Sequence, residues 1–504
     1  MNKVYYRLIN FMSNNQYTKV FLFLLLFFTT RLWIYFELSK NNLLIIESSD
    51  YINQDFFELF IFNHTIPNGH LILEKFISLF SLETVFLFYK LNIFYSLMLC
   101  YFLNDLTKKI QIKKNYRLLI LILVSMILIP YEIWRPNHHD HINIFLIAYL
   151  FWSTFYFISY KKKLNHIILS LILLNFFYTL AFVYSILIFI FLYLHNKLNK
   201  IKLDNNYFLK FISVFTIIFL IFLKNYLSIS IFSPTSMGGA NLIQRTVHAI
   251  GEEKYKSLIE LKKDRFPSWW TSITQQILDK NKKIEMADIR ISNLAHGKLD
   301  ENLFLNYQKQ EKIIMNSQKQ EIDIYNYIKK DKKILMNKKW LYDYGYKQNL
   351  ISTKYQSLGK NIFVEACKLY PKEMIFGKLG NKGIILTTFQ MVSYGGLLPN
   401  YYESDSRYTN KFYYYLYIIF RFLIIFTLLL TPFVFLKRIK FNSLTKKDLF
   451  YILLIISLLS VTVITSTITC CENPRMFVMQ FYLISIICIM NLDYFFKNKK
   501  EFNK

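Results

Sequence analysis

The stretch YEIWRPNHHDHINIF, residues 131–145, packs Arg135, His138, His139, Asp140 and His141 into seven positions between two long apolar runs. Imidazoles beside a carboxylate suit a divalent metal ion, or a paired hydrogen-bond donor and acceptor. Asp140 or Asn137 is equally placed to cap the helix that follows. A second constellation is IIESSDYINQDFFELFIFNHTIPNGH, residues 45–70. Residues 51–62 read as a short amphipathic helix with Ser49 or Asp50 at its N-cap, and Asp55 and Glu58 share a face at i, i+3. A carboxylate held just above a bilayer suits general-base chemistry; Asp50 is the first candidate, Asp55 the next, and Glu58 supports them. The third is CCENPRMFVMQFY, residues 470–482, where Pro474 fits the first turn of the last helix and Arg475 stands beside Glu472. The planar fork of Arg475 matches a lipid phosphate.

Arg31 and Arg421 interrupt apolar runs. Intramembrane charges face a cavity or a partner. Arg421 lies about 13 Å below the outer end of its helix by helix rise, within reach of Glu37 or a lipid phosphate. Lys224 is a weaker case, because its stem lets it snorkel.

The elements that must position these groups are membrane helices. Of 504 residues, 54% are hydrophobic and 18% aromatic, and mean hydropathy is +0.26. Candidate spans are 20–38, 85–103, 117–131, 142–160, 167–195, 211–233, 412–436, 448–468 and 476–494, several near the ~20 apolar residues that cross a bilayer core. The net charge of +28 does not read as a nucleic-acid surface, because the basic residues are not gathered with stacking aromatics in one soluble module. Cys470 and Cys471 are adjacent and no CxxC occurs among the five cysteines, so neither a disulfide framework nor a zinc site is indicated. Lys3, Arg7 and Lys19 precede the first apolar run and no small-residue cleavage site follows, which reads as a retained first helix. With 12 glycines and no phosphate-loop motif, a nucleotide-binding domain is not expected.

The run 167–195 decides the topology. As one helix it would be about 43 Å long, too long for a single upright crossing. As a hairpin it returns to the side it left. The basic groups around Lys3/Arg7/Lys19, Lys108/Lys109/Lys113/Lys114/Arg117, Lys161–Lys163, Lys197/Lys200/Lys202/Lys210, Lys437/Arg438/Lys440/Lys446/Lys447 and Lys497/Lys499/Lys500/Lys504 then share one face, as the positive-inside rule requires. The expected fold is an all-α polytopic membrane protein of about ten transmembrane or membrane-embedded helices, both termini cytoplasmic. Its outer face receives the acidic loop 39–84, the stretch 131–141, a mostly helical segment 234–411 and the turn 469–475. The chain divides into an N-terminal transmembrane module with catalytic outer loops (1–233), an extracytoplasmic soluble segment (234–411) and a C-terminal transmembrane module (412–504).

An acidic loop after helix one, a polar Arg/His/Asp cluster after helix three and an ENPRMF turn opening the last helix together resemble the polytopic GT-C glycosyltransferases. The likeness is to the dolichyl-phosphate-mannose–protein mannosyltransferase-like group and its bacterial relatives. It covers the membrane portion of the chain. Glu472, Asn473, Arg475 and Phe477 loosely match the E-N-x-R-[FY] string of that family, Phe477 falling one position beyond the aromatic; IPNGHLILEKF (66–76) looks like the segment after the first-loop acid, and RPNHHDH looks like the second polar motif, departing at Asn137 where relatives often carry an acid. SWWTS (268–272) lacks the WWDxG signature of oligosaccharyltransferases, which disfavours bulk oligosaccharide transfer to Asn.

The resemblance implies transfer of a sugar from a polyprenyl-phosphate-linked donor to a protein, lipid or polysaccharide acceptor. The active site would face outward from the bacterial inner (plasma) membrane. Asp50 or Asp55 would be the base, Arg475 and Arg421 would hold the donor phosphate, and His138, His139 and Asp140 would bind a divalent metal ion or the substrate. Glu58, Arg135 and Glu472 would support them. Two other classes use the same residues. A lipid-linked sugar flippase would escort a phosphate headgroup with the arginines, and a membrane acyltransferase would use His139 or His141 as base. Asp50→Asn separates them, since only the glycosyltransferase must lose activity while folded.

Overall fold

The computed structural model describes residues 21, 23–32, 68–79, 84–112, 140–199, 205–229, 232–234, 238–266, 347–377, 383–388, 411–439, 445–468 and 480–502, with a few positions between 117 and 128. Every regular element among them is helical and none is a strand. The N-terminal helices are α1 (Phe23–Leu32), α2 (Asn68–Ser78), α3 (Thr84–Lys109), α4 (Asp140–Tyr160), α5 (Leu164–Phe177), α6 (Ala181–Leu198) and α7 (Asn205–Ile229). A polar region follows with α8 (Gly238–Ile250), α9 (Glu252–Leu261), α10 (Lys347–Leu369) and α11 (Pro371–Phe376). The chain closes with α12 (Lys411–Ile439), α13 (Lys446–Ile468) and α14 (Phe481–Phe502).

Among the described residues three helices are long and apolar enough to cross a membrane: Asp140–Tyr160, Asn206–Leu227 and Lys446–Thr467. Their surroundings differ. α4 is apolar all round and buried along most of its length, the pattern of a helix at the centre of a bundle. α7 instead exposes Phe219, Leu220 and Leu227, and α12 exposes Phe422, Leu429 and Phe433. A bilayer accepts such surfaces at no cost, since lipid tails are as apolar as leucine.

The long apolar run is a hairpin. α5 ends where the Tyr178 N–H donates to the Leu174 carbonyl at 2.7 Å, and α6 begins after the Ala181 N–H donates to the Tyr178 carbonyl at 3.0 Å. Asn175 Nδ2 donates to Ser185 Oγ at 2.9 Å, ten residues on; one straight helix would hold them about 15 Å apart. Lys161 Nζ lies 3.0 Å from both His195 Nε2 and Asn196 Oδ1, so α6 ends where α5 starts. The short basic loops meet at that same end. Lys446 Nζ donates to the Ser159 carbonyl at 2.9 Å, and Lys447 Nζ to the Ile110 carbonyl at 2.9 Å and Gln111 Oε1 at 3.2 Å.

Two boundaries depart from the sequence expectation. α3 runs on to Lys109 rather than stopping at 103, because no breaker intervenes before Gln111 turns left-handed at φ 66°. Residues 68–78, expected within an outer loop, form α2. It packs on α5, with Gly69 so close that a Cβ would stand 3.0 Å from Phe176. The last helix is described from Phe481, and the turn around Pro474 lies outside the described residues.

The polar region builds a second apolar core from Ile243, Val247, Ile250, Tyr255, Leu258, Leu358, Ile362 and Met374 among others. α8 and α10 cross at Gly359, where a Cβ would overlap the Gly239 carbonyl oxygen at 2.0 Å. α8 also packs on α13, and α10 on α7.

Candidate functional site

α4 spans about 30 Å by helix rise from Lys161, among the basic loops, to Asp140 and His141 at the other end. That other end gathers polar side chains inside the bundle. Arg31, on α1, is 1% exposed. Its guanidinium lies over the Phe27 ring at 3.6 Å and donates through Nη2 to the Ser125 carbonyl at 2.8 Å. Tyr89 on α3 donates its hydroxyl to the Arg31 carbonyl at 3.2 Å. His141 is buried, with Nε2 at 3.0 Å from Ser96 Oγ of α3, and lies within electrostatic reach of both Arg31 and Asp140. The first turn of α4 thus places an imidazole within electrostatic reach of an arginine from α1, with the Asp140 carboxylate next to it in the chain.

The roof of the hairpin adjoins this group. Asn143 Nδ2 donates to the Phe177 carbonyl at 3.0 Å, which fixes α4 against the turn. Tyr184 donates its hydroxyl to Gln480 Oε1. Tyr178 lies against Gln480 and Thr465 and within electrostatic reach of Asp140. Gln480 is fully buried where the last helix starts. The polar partners come from several helices, so the cluster forms only when α1, the segment carrying Ser125, α3, α4, the α5–α6 turn, α13 and the start of α14 are all in place.

In a low-dielectric interior an arginine, a carboxylate and an imidazole act strongly on one another and on any charge that enters. The positive guanidinium suits an anionic group, while Asp140 and His141 supply an acceptor and a proton-bearing ring. Among the described residues no three His, Cys, Asp or Glu side chains converge on a common point as metal ligands.

Of the residues given a role in sugar transfer, Asp140 is the one whose side chain lies among the described residues, in the first turn of α4; His141, named as a base for the acyltransferase alternative, follows it there. Arg421 lies within α12, its side chain outside the described residues. Asp50, Asp55, Glu58, Arg135, His138, His139, Glu472 and Arg475 lie outside the described residues, as does the expected helix 51–62. Arg31 was visible as a charge in an apolar run, but its partnership with α4 was not. Ser96 and Gln480 were missed; a lone Ser or Gln inside an apolar run was the available signal.

Away from the apolar helices two electrostatic arrangements stand out. Burial, and then the neighbouring Lys446 ammonium, pushes Lys161 below the usual lysine value. In the polar region Glu365 accepts from Arg265 Nη1 at 2.6 Å and Lys368 Nζ at 2.8 Å, with Lys262 Nζ at 3.7 Å. The Lys368 hydrogen bond holds the Glu365 carboxyl below its ordinary value despite burial, helped by the charges of Arg265, Lys368 and Lys262. Glu373, bonded by Lys254, is lowered in the same way.

Comparison with protein-family models, with curated proteins and with solved structures finds no match to this chain.

Proposed function

We propose that the protein is a membrane glycosyltransferase that moves a sugar from a polyprenyl-phosphate-linked donor to an acceptor at the outer face of the bilayer. The observation that carries this reading is the pair of buried Arg31 and His141, with half-buried Asp140 in the same helical turn as His141, set at the end of the bundle opposite the basic loops. Short basic loops mark the cytoplasmic side, so the group belongs to the outer side of a cell's plasma membrane, the bacterial inner membrane in our reading. The bundle would complete about ten membrane-embedded helices when the segments outside the described residues are counted from the sequence.

The chemistry needs few parts. A base takes the proton of the acceptor hydroxyl, the hydroxyl oxygen bonds to the anomeric carbon, and the carbon–oxygen bond to the phosphate breaks. The lipid phosphate leaves with the electron pair and is already a good leaving group. Positive charge fixed nearby in a water-poor site stabilises it as it departs. Asp50 is the base of first choice and Asp55 the second. Arg31 joins Arg421 and Arg475 as phosphate-holding cations. Asp140 and His141 orient the acceptor or, with His138 and His139, hold a divalent metal ion. Glu58, Arg135 and Glu472 support these groups.

The test is transfer by the purified protein in lipid nanodiscs, supplied with polyprenyl-phosphate sugars and read as release of polyprenyl phosphate. Wild type should release it, and Asp50→Asn should lose release while keeping the wild-type elution profile. Unimpaired turnover by Asp50→Asn and Asp55→Asn alike would refute the assignment of the base. Movement of donor across the bilayer without sugar release would make the protein a flippase.

A further inference from the structure

The segment from Pro371 to Thr388 carries an apolar surface that the second core does not use. In α11 only Met374 turns inward and is fully buried, while Ile375 and Phe376 point outward, Phe376 being 59% exposed. Residues 384–388 form one further helical turn. Gly383 and Thr387, one turn apart, are buried, whereas Ile385 and Leu386 are 51% and 47% exposed. The two pieces are pressed together: a Cβ on Gly383 would stand 2.2 Å from the Gly377 nitrogen and 2.5 Å from the Phe376 carbonyl carbon. Ile375, Phe376, Ile385 and Leu386 are therefore neighbours in space and make one patch. Water is a poor solvent for such a patch, and neighbouring exposed apolar side chains mark a contact surface.

Its position names the occupant. Thr388 Oγ1 lies 2.7 Å from Ser466 Oγ, near the end of α13. Ser466 is twenty residues beyond Lys446, about 30 Å by helix rise, which is the thickness of a hydrocarbon core. With Lys446 at one interface, Ser466 and the patch stand at the other. The patch is made of the same residue types that the bundle exposes on α7 and α12. Lys372, exposed beside it, is suited to the headgroup layer.

We infer that residues 371–377 and 383–388 form an interfacial anchor, inserting Ile375, Phe376, Ile385 and Leu386 into the outer leaflet and so seating the α8–α11 region on the membrane surface. This requires only that the bundle spans a bilayer. It is independent of the reaction proposed above, and its test reads depth rather than turnover.

The experiment places a fluorescent amino acid at position 376 and, in a second protein, at position 385 of the full chain in lipid nanodiscs. Fluorescence is read against doxyl-labelled phospholipids and against aqueous iodide. The anchor predicts loss of fluorescence with doxyl lipid at both positions and shielding from iodide. Quenching by iodide with none by doxyl lipid would overturn it, leaving the patch in water. Shielding from both quenchers would also overturn it, because another protein surface would then cover the patch.

Discussion

The two ends of the helical bundle solve different problems. At the basic end, lysines reach helix-terminal carbonyls: Lys446 to Ser159 and Lys447 to Ile110. These contacts lie at or near the surface, are made by long side chains, and complement the negative ends of α3 and α4. At the other end Arg31, His141, Asn143 and Gln480 are buried, and their partners come from several helices. Surface lysine contacts are worth little and are readily replaced by water. A buried arginine beside a carboxylate and an imidazole is costly to assemble and costly to break. Orientation needs only the first arrangement. Only the second can hold a charged ligand away from water.

The sharpest way to break this contrast is Arg31→Met. Removing one partner of a buried charge group costs about 3–5 kcal/mol, and transfer should fall by about 10²–10³-fold. Thermal unfolding in nanodiscs and the release assay check both. Wild-type behaviour in both would place Arg31 among inert anchors. Next is Gln480→Leu, which strands the Tyr184 hydroxyl and should cost about 1–3 kcal/mol, read as a lowered melting temperature. A double-mutant cycle of Asp140→Asn with Arg31→Met should give a coupling of about 0.5–3 kcal/mol; strict additivity would separate the two groups. At the basic end, Lys446→Ala and Lys447→Ala should each change stability by about 0–1 kcal/mol and leave transfer unchanged.

A smaller effect concerns the polar region. Glu365 has a folded pKa below its unfolded value, so its stabilisation is present above the unfolded value and is lost as pH falls through the folded one. Acidification should therefore expose α8–α10 to protease before the bundle yields, and Glu365→Gln should flatten that dependence.

Much of the basic end was legible in the sequence. Charge density in short loops and the excess length of 167–195 fixed the hairpin, because both follow from one-dimensional rules about bilayer thickness and positive charge. The polar end was legible only in part. Arg31 announces itself as a charge among apolar residues, and Asp140 as the opening of a helix. Ser96, Tyr184 and Gln480 do not, since a single polar residue in an apolar run is unremarkable until packing gives it a partner. α2 was missed because its cause is a tertiary contact, Gly69 on Phe176, rather than a cap or a long periodic pattern.

The most direct test is native mass spectrometry of the purified protein and of Arg31→Met, reading the mass of any co-purified lipid. A polyprenyl phosphate or its glycosylated form, bound to wild type and weakened in Arg31→Met, is the predicted result. Bulk phospholipid alone, bound equally by both proteins, would contradict the claim that the buried polar end holds a lipid-phosphate donor.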